Sequence, residues 1–235
     1  MIQQAKTIGD YVTENIKTAH VFKKHGIDFC CGGGITLEKA CEQKGLNIQE
    51  MQQELEEANF QRGSSLNFNK WELSFLMDYI VNEHHTYVRE SIPIIMEYAE
   101  KVVRVHGQNY PEVIKVYRIF SVVANELNAH LEKEEMVLFP FVKELELAKK
   151  KNRTPSMPPF GTIHNPIRMM EHEHENAGDA FKEISRLTNG YEPPMGACNT
   201  FRALYAKLQE FEEDLHQHVH LENNILHKKA ALLER

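Results

Sequence analysis

Four histidines and two glutamates carry the chemistry of this sequence: His84, His130, His174 and His218, with Glu134 following His130 and Glu222 following His218 at a spacing of four. On a helix, residues i and i+4 lie one above the other, so each His-x-x-x-Glu pair aims two ligand groups in one direction. Imidazole and carboxylate without thiolate suit iron or manganese better than a closed structural zinc site. Four imidazoles and two carboxylates at one level make a dinuclear site, with two histidines per metal and the carboxylates bridging. Such a pair inside a helical bundle favours two iron ions, oxo- and carboxylate-bridged. The ferritin-like pattern is Glu-x-x-His, and here the order and spacing are His-x-x-x-Glu.

Spacing alone proves little in a chain with 34 acidic residues and 13 histidines. Position does more. Each histidine interrupts an apolar stripe of helical period: Leu73, Met77, Ile80, Val88 and Ile92 around His84; Phe120, Val123, Leu127 and Phe141 around His130; Ile167, Met170, Ala177 and Phe181 around His174; Leu208, Phe211, Leu215 and Ile225 around His218. An ionised carboxylate in such a stripe costs several kcal/mol unless it is paired or metal-bound. No Lys or Arg shares the stripe with Glu134 or Glu222 within a turn.

Four long helices must position these groups. They are predicted from about Lys70 to Val105, Glu112 to Lys150, Thr162 to Thr188 and Gly196 to Leu233, with Asn69 as a cap and Pro93 as a kink in the first. The short breaks at His106–Pro111 and Asn189–Gly190 imply antiparallel hairpins. The expected fold is therefore all-α, an up-down-up-down four-helix bundle. His84 and His130 each lie roughly 30 Å from the first hairpin turn, at one level, whereas His174 and His218 differ by roughly 10 Å, which the second connection must absorb. His106 lies in the first turn, roughly 30 Å from the metals, and becomes a ligand only if Pro93 reverses the chain. His85, His172, His216 and His220 are rotated away from their ligand neighbours and are expected on solvated faces, as are His164 and His227.

The first sixty residues form shorter amphipathic pieces: Ile8–His25, Thr36–Lys44 and Asn47–Phe60. With the polar linker Gln61–Ser65, this divides the chain into a small helical unit, 1–62, and the bundle, 68–235. The net charge of −7 argues against a nucleic-acid binder. The first residues lack the pattern of a signal peptide, and no apolar run reaches the length of a membrane span, so a soluble, cytoplasmic protein is expected. In that setting four cysteines read as reduced, redox-active or metal-linked. Cys30 and Cys31 sit beside three glycines, just before a helix expected to start at Ile35–Thr36. Its N-terminus would stabilise a nucleophilic or metal-binding thiolate; equally, two small residues would serve a tight turn.

Phe22, Gly26-Ile27-Asp28-Phe29-Cys30-Cys31-Gly32-Gly33, Thr36-Leu37 and Ala40 resemble the N-terminal domain of the Repair of Iron Centres family. The strings His130-Leu131-Glu132-Lys133-Glu134-Glu135, Glu173-His174-Glu175-Asn176-Ala177-Gly178 and His218-Val219-His220-Leu221-Glu222-Asn223-Asn224 resemble that family's hemerythrin-like domain. The resemblance covers nearly the whole chain, and departs from the family at His227-Lys228, where Phe-Pro is expected, as at Phe139-Pro140. It implies a di-iron protein that restores iron–sulfur clusters damaged by nitrosative or oxidative stress, more a supplier of iron than a turnover enzyme. Its alternatives are a nitric oxide reductase forming N2O and an O2- or NO-binding sensor. The implied partners are damaged iron–sulfur proteins, with NO, O2 or peroxide as small ligands; a homodimer stays open. The resemblance also implies a seventh ligand at His106, and thiols at Cys30 and Cys31 that accept iron or pass electrons.

Overall fold

The structure, a computed structural model, describes residues 5–60 and 66–234; the linker at 61–65 lies outside them. Four short helices come first: α1 (Ile8–Glu14), α2 (Thr18–Lys24), α3 (Leu37–Lys44) and α4 (Ile48–Phe60). The single amphipathic piece expected over 8–25 is broken at 15–17. Asn15 takes an extended conformation, and its carbonyl accepts the Thr18 backbone N–H and hydroxyl. Thr7 and Asp10 cap α1 reciprocally, the Thr7 N–H donating to Asp10 Oδ2 and the Asp10 N–H to Thr7 Oγ1.

Four long helices follow: α5 (73–106), α6 (112–150), α7 (His164–Leu187) and α8 (199–233). The predicted ends hold to within a few residues. The start of α5 differs: Asn69 falls in a 3-10 turn, Phe68–Lys70, and the helix is capped from outside itself. The Glu146 carboxylate of α6 accepts the backbone N–H groups of Leu73 (3.0 Å) and Ser74 (3.2 Å), two of the donors a helix N-terminus leaves unpaired. Pro93 is accommodated inside the α segment Thr86–His106.

Three of these helices are not α throughout. Val81–His85 in α5, Glu134–Leu138 in α6 and Leu221–Leu226 in α8 are π turns, each inserting a residue into the ladder. Helix α5 packs against α6 and α8, and α6 against α7, as neighbours in an up-down-up-down bundle do. No helix among the described residues is long and apolar enough to cross a membrane.

The core falls into two apolar regions. One contains Leu73, Met77, Leu138, Phe139, Ile167, Met170, Ile225 and Leu226; the other runs from Val88, Phe120, Phe181 and Phe211 into the N-terminal helices. Between them lies a layer of buried polar side chains, all at the level of the π turns: His85, His130, Glu134, His174, His218 and Glu222.

Candidate metal centre

Two groups of ligand atoms meet in that layer. His85, Glu134, His218 and Glu222 form one; His130, Glu134, His174 and Glu222 form the other. Within each, the donor atoms all lie within 4.8 Å of one another, and both groups share the two glutamates. His218 Nε2 is 3.0 Å from Glu222 Oε1, His174 Nε2 is 3.2 Å from Glu222 Oε2, and His85 and His130 each place Nε2 3.4 Å from Glu134 Oε2.

The second ring nitrogens show which way the imidazoles point. His85 Nδ1 donates to Glu135 (2.7 Å), His130 Nδ1 to Glu173 (2.8 Å) and His174 Nδ1 to Asn223 Oδ1 (2.8 Å). Arg89 and Lys133 hold Glu135 and Glu173 in turn. A partner on Nδ1 turns the lone pair of Nε2 inward, the arrangement of a metal-ligating histidine. His130 and His174 consequently face each other, Nε2 to Nε2, at 3.0 Å. Two lone pairs at that distance repel unless a cation lies between them.

The carboxylates beside these rings favour a positive charge in the layer. Burial favours a neutral His85, yet its contacts with Glu134 and Glu222 raise it to about 10; His130, also opposed by burial, is raised by Glu134 to about 9. Burial and the neighbouring Glu222 push Glu134 up, but His130 and His85 prevail and hold it at about 2. Burial opposes ionisation of Glu222 too, and His218 and His174 hold it well below the carboxylate range. The layer therefore keeps two ionised carboxylates, both 0% exposed, and needs positive charge to do so. Both oxygens of Glu134, Oε2 of Glu222 and Nε2 of His85 still have no hydrogen-bond partner. This donor set fits a pair of transition-metal ions, whose binding would displace the protons.

The structure brings together five of the six residues read from the sequence, and His85 in place of His84. The reason is the π turn. Leu73, Met77 and Ile80 extrapolate forward to His84, whereas Val88, Ile92 and Ile95 extrapolate back to His85; the inserted residue separates the two registers. The backward extrapolation was the available signal. His84 is buried beside the centre, its ring stacked on His218 at 5.5 Å and its Nδ1 donating to Asp214 (2.8 Å).

Three further expectations are corrected. His220 and His227 are buried, and His216 is half-buried. Phe29 of the N-terminal segment covers His216 and His220 edge-on, and burial pushes both down to about 4. His227, carried inward by the π turn before it, lies parallel to His174 at 6.2 Å. His172 and His164 are exposed as expected. His106 is not at the centre: it sits at the far end of α5, its Nε2 3.2 Å from Cys198 Sγ, because Pro93 does not reverse the chain.

Cys30 and Cys31 dock on the outer side of the Leu221–Leu226 turn. The Asn224 amide donates to the carbonyls of Phe29 and Cys30, and Asn223 Nδ2 lies 3.9 Å from Cys31 Sγ. Gly9 and Gly33 permit this approach: a Cβ on Gly9 would meet Asn224 Oδ1 at 2.5 Å, and one on Gly33 the Phe29 carbonyl at 2.4 Å. Asp28 Oδ1 accepts the N–H of Cys30 and of Cys31 and the Cys30 thiol. The hydrogen bond with Cys31, burial and the Asp28 charge push Cys30 well up. The expected helix-terminus thiolate therefore does not apply to Cys30: α3 begins at Leu37, capped by Thr36, and it is Asp28 that faces the sulfur.

An antiparallel helical bundle enclosing paired imidazole–carboxylate groups defines a hemerythrin-like cation-binding protein. Residues 76–230 match the family model described as the hemerythrin HHE cation binding domain, and residues 4–59 match ScdA_N, described as a domain of unknown function. The chain is 35% identical over 230 residues to the iron-sulfur cluster repair protein YtfE of Pectobacterium atrosepticum, covering 98% of each. It is 37% identical over 210 residues to a probable iron-sulfur cluster repair protein of Haemophilus influenzae, covering 88% of this chain and 87% of the relative. The chain belongs to the family of these ScdA_N–hemerythrin proteins.

Proposed function

We propose that this protein holds two iron ions on His85, His130, Glu134, His174, His218 and Glu222, and that it repairs damaged iron–sulfur clusters by supplying iron. The observation that carries the reading is the His130–His174 contact, two inward-facing Nε2 atoms 3.0 Å apart beside two wholly buried carboxylates. Relatives covering nearly the same length are named for cluster repair, which supports the same conclusion.

Bound iron would supply labile coordination and one-electron chemistry. The chain's own contribution is charge and orientation. Glu134 and Glu222 neutralise the ions, Glu135, Glu173 and Asn223 fix three imidazole rings, and the apolar regions on either side exclude water. Oxygen and nitrogen donors hold iron less tightly than thiolates would, as befits an ion meant to leave. Residues 1–62 act as a separate thiol-bearing unit docked on the bundle of 68–235, and the protein works in the cytoplasm.

The test uses an iron–sulfur enzyme inactivated by nitric oxide. Iron-loaded protein restores its activity, and Glu134→Ala and Glu222→Ala do not, each losing more than about a hundredfold in metal affinity, above the range of outer-sphere changes. Restoration by the double variant would refute iron supply. Catalytic N2O formation without iron release would point to nitric oxide reduction instead.

A further inference from the structure

We infer that Asn223 is a positioning residue through which the thiol of Cys31 sets how firmly His174 holds its metal ion. This control rests on the metal-centre reading above.

Three of the inward-facing imidazoles are supported on the Nδ1 side, and each support is itself held by a third group. For His85 the support is Glu135, held by Arg89 at 2.9 Å; for His130 it is Glu173, held by Lys133. For His174 it is Asn223, whose Oδ1 lies 2.8 Å from Nδ1 while its Nδ2 donates to Cys31 Sγ at 3.9 Å, a weak N–H···S bond. Two of these hydrogen-bonded series thus end in exposed cations, and the third ends in a sulfur. The change from carboxylate to amide fits that ending. A carboxylate only accepts hydrogen bonds, whereas an amide accepts from the imidazole and donates onward.

Cys31 is well placed for this part. Its backbone N–H donates to Asp28 Oδ1 (3.0 Å), and the carbonyls of Phe29 and Cys30 just before it accept from Asn224. Contacts that leave the sulfur free therefore keep it against Asn223. Cys31 is also only half-buried, within reach of small reagents, whereas Cys30 is buried. Hydrogen bonds in series polarise one another. A free Cys31 sulfur draws on the Nδ2 proton, makes Oδ1 the stronger acceptor and leaves His174 the stronger donor at Nε2. A sulfur engaged by an electrophile or a thiophilic metal ion has its lone pair occupied, and His174 then holds its ion less firmly. The ion loosened is the one on His130, Glu134, His174 and Glu222; the group containing His85 and His218 keeps all its supports.

The full-length protein is loaded anaerobically with cobalt(II) as the probe. The imidazole N–H protons of its ligands, displaced from the usual NMR window by the paramagnetic ion, report each histidine separately; transfer to EDTA reports release. Cys31→Ala is expected to bind two ions and to move one N–H resonance. It should release one of the two ions about threefold faster, since a weak bond is lost one step beyond the ligand's direct partner. Asn223→Leu removes that direct partner, and should displace the same resonance and speed the same release roughly tenfold or more. In Asn223→Asp the acceptor for His174 stays and the donor goes, so adding Cys31→Ala should change nothing further. An unmoved resonance and wild-type release in Cys31→Ala would overturn the relay. So would an undiminished effect of Cys31→Ala in the Asn223→Asp background, since the sulfur would then act by another route. A thiolate-to-cobalt charge-transfer band that vanishes in Cys31→Ala would overturn it by making Cys31 a ligand. Wild-type protein taking up no cobalt would instead refute the metal-centre reading itself.

Discussion

Helix α7 crosses the level of the metal centre as plain α-helix, whereas α5, α6 and α8 each cross it through a π turn. The difference follows the load each carries. Helix α7 contributes a single group, His174, on a stripe that continues unbroken from Ile167 and Met170 to Ala177, Phe181 and Ile184. Helices α6 and α8 each present a histidine and the glutamate one turn later. In α5 the extra residue lets two apolar registers meet at adjacent histidines. Regular helix carries His174 inward; the widening accompanies a histidine–glutamate pair in α6 and α8, and in α5 it joins two apolar registers.

The sharpest way to break this contrast is to delete one exposed residue from each kind of helix. Removing Asn176 from α7 rotates Ala177, Phe181 and Ile184 by about 100° out of the core. It should cost more than about 4 kcal/mol in chemical denaturation, the scale of losing several buried side chains. Removing Asn82 from the π turn of α5 should instead merge its two stripes into one register with His85 still inward. We expect retained metal binding and a loss below about 2 kcal/mol. Equal damage from both deletions would refute the account of the π turn.

A second test separates the two histidines that this turn sets apart. His85→Ala should leave roughly one ion per chain, since only one of the two donor groups loses a ligand. Elemental analysis showing two would return the resident role to His84.

A third compares the centre with the outer face of α8. His216 and His220 are held at about 4 by burial under Phe29, below the 6.5 of a free imidazole. Between these values the unfolded chain binds protons that the folded chain does not, so stability rises with pH through this window and is complete above 6.5. Acidification from pH 7 to 4 should therefore remove up to roughly 3 kcal/mol per histidine, and His216→Phe should flatten part of the slope. The smallest effect expected is about 1 kcal/mol for Glu146→Ala, which uncaps α5 far from any ligand. Thermal melts resolve it.

The same contrast explains what the sequence discloses. Helix α7 is read correctly as a helix, and His174 falls in the buried layer, because its period never changes. Helix α5 is read correctly as a helix, but it is His85 rather than His84 that the structure places in the cluster, since a regular period cannot reveal an inserted residue. The burial of His216 and His220 is hidden for another reason: what covers them is Phe29, remote in sequence. The Glu146 cap is likewise 73 residues from the N–H it serves. Glu134 and Glu222 were legible because an acid in an apolar stripe is costly wherever the helices go. The partners Glu135, Glu173 and Asn223 stand among many polar surface residues and acquire meaning only once the helices are packed.

The Leu221–Leu226 turn looks both ways. On its inner side Glu222 faces the imidazoles; on its outer side Asn224 grips the backbone of the cysteine loop, with Gly9 pressed against it. One short span of chain is thus both wall and doorstep. Prying the small N-terminal unit away would release the braces on the strip that aims a ligand, and a shift of that ligand would tug on the loop outside.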